Sequence, residues 1–86
     1  MIGMKEAVEI AKREAGEILG ETVIGLEEID REKYNGARDV WSITLSLPPR
    51  TVRSDLAIQV GRIQYRRFLI DVETGELVAM KLREVA

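Results

Sequence analysis

The 86-residue chain contains no cysteine and no histidine. Without cysteine, disulfide staples, thiolate metal sites and a cysteine nucleophile are excluded, and redox arguments leave the compartment open. Without histidine there is no Ser-His-Asp triad, no imidazole general base and no imidazole zinc ligand, so the commonest routes to hydrolysis and metal catalysis are closed. Carboxylate, lysine and tyrosine chemistry remain. Aromatic residues are scarce, at one Trp, one Phe and two Tyr, so the core must be assembled from aliphatic side chains around Trp41 and Phe68. No apolar run reaches the roughly 18 residues of a membrane span. The N-terminal stretch MIGMKEAVEIAKREAGEIL is broken by Lys5, Glu6, Glu9 and Lys12, where a signal peptide needs continuity. A soluble, cytoplasmic protein without membrane insertion is expected, folded as one domain over residues 1–86 because so short a chain cannot divide its apolar residues between two cores.

Residues 4–19 have helical periodicity. Met4, Val8, Ala11, Ala15 and Ile18 or Leu19 recur at spacings of three and four, while Lys5, Glu6, Glu9, Lys12, Arg13, Glu14 and Glu17 turn mostly away. Glu9 and Arg13 stand four apart in the favourable order, and Gly20 suits the left-handed position that ends a helix. Gly16 is the anomaly, costing on the order of 1 kcal/mol inside a helix. Either the last turn frays there or a strand passes close over the bare backbone.

The segment TVIGLEEIDREKYNGARDVWSITLSLPP reads as a hairpin, because Asn35-Gly36 tolerates the two positive φ angles of a type I′ turn. With Tyr34 opposite Ala37, Ile24 faces Leu47, Leu26 faces Leu45, Glu28 faces Ile43 and Asp30 faces Trp41. One face then collects Ile24, Leu26, Trp41, Ile43, Leu45 and Leu47, and the other Glu27, Ser42, Thr44 and Ser46. Glu28 and Asp30 are misplaced and Ile29 falls on the polar side; a bulge near Glu27 and Glu28 would repair the strand and change the pairing beyond it. Pro48-Pro49 stops the second strand. Residues 48–61 read as a loop running into a strand through Leu56, Ile58 and Val60, with a short helix capped by Ser54 as the alternative.

In YRRFLIDVETGELVAMKLRE, a three-residue connection of Glu73, Thr74 and Gly75, with Gly75 left-handed, pairs Val72 with Glu76, Ile70 with Val78 and Phe68 with Met80. Asp71 is placed for its carboxylate to accept backbone N–H groups of the loop. The expected architecture is α+β: an N-terminal amphipathic helix packed on a four-stranded antiparallel meander, in the order α-β-β-loop-β-β.

An N-terminal amphipathic helix, then VWSITLSL, then YRRFLIDVETGELVAM resembles the PepSY-like domains over roughly residues 4–82 outside the loop. The resemblance implies a small module that inhibits or regulates a peptidase or another protein partner, and it supplies no catalytic residues. The same pattern is similar, more weakly, to cystatin-like and nuclear-transport-factor-like cone folds, some of which serve as immunity proteins.

Glu27, Glu28, Asp30 and Glu32 lack the glycine and terminal bidentate glutamate of a calcium loop, and read as a solvated edge. Tyr34, Tyr65 and Trp41 suggest a pocket lining, against which a Trp opening an alternating strand is more often core. Charge segregation asks most clearly for a partner. Residues 1–32 carry four basic and nine acidic side chains, whereas residues 50–67 carry Arg50, Arg53, Arg62, Arg66 and Arg67 against Asp55 alone. Arginine forks suit carboxylate or phosphate. Internal pairing with the acidic hairpin strand, within the monomer or across a homodimer, is the plainer alternative. The sequence thus points to a non-catalytic binding module with no catalytic, metal or cofactor residues and a protein partner met through these five arginines. A small immunity or antitoxin-like inhibitor is the first alternative. A nucleic-acid-binding module is the second, disfavoured by the pI of about 5.2.

Overall fold

A computed structural model describes residues 1–20, 22–48, 51–53, 58–60 and 63–83. The fold is α+β, with helix α1 (Met4–Glu14) and strands β1 (Gly25–Tyr34), β2 (Arg38–Leu47), β3 (Thr51–Arg53), β4 (Ile58–Val60), β5 (Gln64–Asp71) and β6 (Leu77–Arg83). Four strands form one antiparallel sheet in the order β1-β2-β5-β6, and β3 and β4 form a separate two-stranded ladder. The expected meander is present, with a β3–β4 ladder where a loop running into a strand was expected.

The helix is rich in Ala, Lys, Glu and Arg, which lose little freedom on becoming helical. It buries Ala7, Val8 and Ala11, and Ala15, just past its last residue, is buried with them. Alanine at every fourth position lets the helix backbone sit close to the sheet, where Ile43, Leu45, Leu47, Phe68 and Ile70 complete the core. Periodicity alone overlooked Ala7 and favoured Met4, which is exposed. After Glu14 the chain widens into a π-helical turn, Ala15–Leu19, ended by Gly20 at φ 64° with its N–H bonded to the Gly16 carbonyl at 3.1 Å. A Cβ added at Gly16 would meet nothing within 4 Å. Among the described residues no strand crosses that glycine; the irregularity is taken up by the wider turn, which leaves Ile18 exposed and packs Leu19 against the core.

Asn35 and Gly36 have φ of 54° and 78°, as a type I′ turn requires. The ladder nevertheless opens with Tyr34 opposite Arg38, one residue beyond the expected pairing. Ile29 therefore faces Ile43 and Arg31 faces Trp41, and the register slips between Leu26 and Glu28 to restore Leu26 opposite Leu45. This bulge at Glu27 frees the strand from placing Glu28 and Asp30 on the apolar side. Trp41 is half-buried at the rim instead of enclosed between helix and sheet. Its Nε1 donates to the Ile2 carbonyl at 3.2 Å, and the Arg31 guanidinium lies 5.0 Å from its ring centroid.

Phe68 faces Met80 as expected, but a second slip, between Leu69 and Ile70, sets Ile70 opposite Leu77 and leaves Val78 as the extra residue. The Asp71 N–H then bonds to the Glu76 carbonyl at 2.8 Å, so the expected Val72–Glu76 and Ile70–Val78 pairs are each displaced by one.

Along β2 and β5 the partners run from Val40 opposite Asp71 to Leu47 opposite Gln64. Thr51 stands opposite Val60, four residues further along one strand and four back along the other. The β3–β4 ladder thus has the same register as the β2–β5 pair, although it forms a separate sheet. Neither strand makes more than marginal contact with the helix or the four-stranded sheet. The molecule measures 50 × 23 × 18 Å, longer than the roughly 33 Å that a ten-residue strand spans. β3 and β4 form an arm standing off the end of the sheet where β1 begins.

Candidate functional site

Of the five arginines, Arg66 and Arg67 are those whose side chains are described, and these two do not form one patch. Arg66 and Arg67 are neighbours in β5, so their side chains leave opposite faces of the sheet. Arg67 lies on the face without a helix, where its Nη1 is 3.8 Å from Glu32 of β1, the internal pairing that charge balance had offered as the alternative. The bridge passes over β2, above a floor of buried Val40, Ser42, Thr44 and Ser46. Arg66 shares the helix side with Phe68. Its Nη2 donates to Gln64 Oε1 at 3.3 Å, and its Nε is buried with no hydrogen-bond partner among the described residues. Arg53 ends β3 on the arm. Arg50 and Arg62, together with Ser54, Asp55 and Leu56, lie outside the described residues.

The acidic residues of β1 follow its pleat. Opposite Thr44, Ser42 and Val40, the side chains of Glu28, Asp30 and Glu32 share the open face, while Glu27 occupies the bulge. The aromatic residues do not converge on a pocket: Tyr34 stands at the turn end of β1, Tyr65 opposite Ser46 at the other end of the sheet, and Trp41 on the helix side.

The most ordered polar cluster is at the closing turn. Asp71 Oδ1 accepts the backbone N–H groups of Glu73 and Thr74 at 2.7 and 2.9 Å, as the sequence led one to expect. Asp71 Oδ2 accepts from Arg38 Nε, and Arg38 Nη2 donates to Glu76 Oε2 at 3.3 Å. Hydrogen bonding from Arg38, then from the loop N–H groups, holds the Asp71 carboxyl down at about 2, from an ordinary 3.8. A depressed folded-state pKa contributes stability above the unfolded value and loses it as pH falls through the folded one. The melting temperature of the native chain should therefore fall more steeply between about pH 4 and pH 2 than that of Asp71→Asn. Parallel pH profiles would assign the acid sensitivity elsewhere.

Gly75 has φ 78° and donates its N–H to the Asp71 carbonyl at 2.9 Å. A Cβ there would stand 3.2 Å from Ile10 Cδ1, so a side chain meets both backbone strain and the helix. Gly75→Val should cost at least about 1 kcal/mol in denaturant unfolding; an unchanged midpoint would contradict the turn geometry.

An open cleft of about 560 Å³, unmarked by any sequence motif, lies between Arg13 and Glu14 of the helix and Thr74–Leu77 of the turn. Its charged rim is partly self-neutralised, with Arg13 Nη2 3.9 Å from Glu14. Among the described residues, no three carboxylates gather in a way that could hold a metal ion, and no helix is long and apolar enough to cross a membrane.

The feature that sequence inspection missed is the arm. Its signal was present as two β-prone stretches, Thr51-Val52 and Ile58-Gln59-Val60, on either side of the turn-forming Ser54-Asp55. Comparison with family models, curated proteins and solved structures finds no match to this chain.

Proposed function

We propose that this chain is a non-catalytic binding or regulatory module, PepSY-like in sequence pattern, that meets a protein partner through the β3–β4 arm and the end of the sheet from which it springs. The observation that carries this is the β3–β4 ladder, which keeps the register of β2–β5 beyond the last described residues that β1 and β6 pair. A two-stranded hairpin alone is at best marginally stable in water. This one contains Val52, Ile58 and Val60, and neither of its strands makes more than marginal contact with another described element. A partner surface laid against it would bury apolar area and satisfy its outer backbone groups.

Regulation of a peptidase is the role that the family resemblance implies. An immunity or antitoxin-like inhibitor is supported by the same arm, since a projecting hairpin can enter a partner's cleft. Nucleic acid has less support, because Arg67 is paired with Glu32 within the chain. A photo-crosslinking side chain at Val52 is expected to give higher-mass adducts in cells that make the protein, and one at Lys12, on the exposed side of the helix, to give none. Adducts from Lys12 alone, or from neither position, would refute the placement of the contact surface.

A further inference from the structure

We infer that β6 is a dimerisation edge: two copies pair β6 with β6, antiparallel, about a two-fold axis at Met80, and their four-stranded sheets join into one. This contact lies apart from the arm, and neither proposal depends on the other.

The two outer strands of the sheet are unlike. β1 carries Glu27, Glu28, Asp30, Arg31, Glu32 and Lys33, a density of charge that discourages pairing with another strand. β6 carries only Lys81 and Arg83, and among the described residues no strand lies along its outer side. Each of the two strands has one bulge near its start, so charge is what separates them. Leu77, Val78, Ala79 and Met80 are half-buried, and Lys81 is exposed.

The backbone of β6 is set for a further strand. The Val72 N–H bonds across to the Asp39 carbonyl on the β2 side, and the Asp71 N–H to the Glu76 carbonyl on the β6 side. Successive residues of a strand direct these groups to alternate sides, so Leu69 and Arg67 bond toward β6, and Ile70, Phe68 and Arg66 toward β2. The residues opposite the latter three, Leu77, Met80 and Leu82, therefore turn their N–H and C=O groups outward. An added strand finds a donor and an acceptor at each of these positions.

A second β6 fits that row. With Met80 opposite Met80 of the second copy, Leu77 comes opposite Leu82 of the second copy once the extra residue Val78 is passed over, so every outward-bonding position meets another. Ala79 then stands opposite Lys81 of the second copy, in the closely spaced non-bonded pairs of the ladder, and like charges do not face one another. Moving the axis to Lys81 would oppose the two lysines and put the outward groups out of phase.

Other edge pairings fit less well. Pairing β1 with β1 about Arg31 sets Arg31 against itself and Asp30 against Glu32. Pairing β1 with the β6 of another copy repeats without closing and would build an open array. The β6–β6 contact closes after two copies and leaves a charged β1 at both outer edges, where growth stops. Because the paired strands are antiparallel, the two helices share one face of the joined sheet and the two arms stand at opposite ends.

Sedimentation equilibrium of variants at Ala79 tests this, since Ala79 faces Lys81 twice across the axis. The native chain should pass from monomer to dimer as its concentration rises toward millimolar. Over the same range the Met80 amide should change from fast to slow hydrogen exchange, with Phe68 protected throughout. Ala79→Glu should tighten the dimer about fivefold and Ala79→Lys weaken it by about as much, and adding Lys81→Glu to Ala79→Glu should abolish the gain. If Ala79→Lys fails to fold, Ala79→Glu and the Met80 exchange decide the matter. A native chain monomeric at millimolar concentration overturns the inference. So does a dimer in which Met80 exchange is indifferent to concentration, or in which both Ala79 variants associate as the native chain does. Adducts from Val52 alongside a monomeric native chain would overturn the dimer while leaving the binding-module proposal in place.

Discussion

Phe68→Ala is expected to destabilise the protein by about 3 to 5 kcal/mol, which is a large fraction of the total stability of a small domain. Phe68 is the largest fully buried side chain. It lies at the centre of β5, opposite Ile43 on one side and Met80 on the other. With a single Phe and a half-buried Trp41, the chain has no second aromatic ring enclosed in the core to fill the space. The helix above this position contributes mostly alanines, which cannot extend into a cavity. Chemical denaturation should show a lower midpoint with little change in slope. A loss below about 1 kcal/mol would mean that the core closes readily around the missing ring, contrary to the packing described here.

Ala11→Leu is expected to cost about 1 to 3 kcal/mol, although both residues are good helix formers and Leu is the more apolar. Ala11 is fully buried, as are Ala7 and Ala15 one turn to either side. Added methylenes there have no free volume and must lift the helix off the sheet, loosening Ile43, Leu45 and Phe68 together. Lys12→Leu, on the exposed side of the same turn, is the control and should change stability by less than about 0.5 kcal/mol. Equal effects at the two positions would indicate that the helix does not approach the sheet through its alanines.

Local chemistry was the most legible part of this sequence. Asn35-Gly36 has the positive φ pair expected of it, Gly75 is left-handed, and Asp71 binds the loop N–H groups. Each depends on residues within a few positions of one another. Both strand registers were displaced by one residue near the turns, because a bulge is decided by which side chains the opposite strand and the helix can accept. The misfit of Glu28 and Asp30 announced the first bulge; nothing so clear marked the second at Val78. The arm was obscured by Pro48-Pro49, which reads as the end of pairing although the ladder resumes beyond it in the same register. Arg66 and Arg67 looked like neighbours on one patch because sequence proximity ignores the pleat, which sends them to opposite faces.

Amide hydrogen exchange at Val52, Ile58 and Gln59 in the purified, dilute chain tests most directly whether the arm is a contact element left uncovered within the monomer. Exchange at these positions should be fast, while Ile43 and Phe68 in the sheet remain protected. Protection at Val52, Ile58 and Gln59 equal to that of Phe68 would mean that the arm is already covered within one chain, and would contradict its role as a docking element.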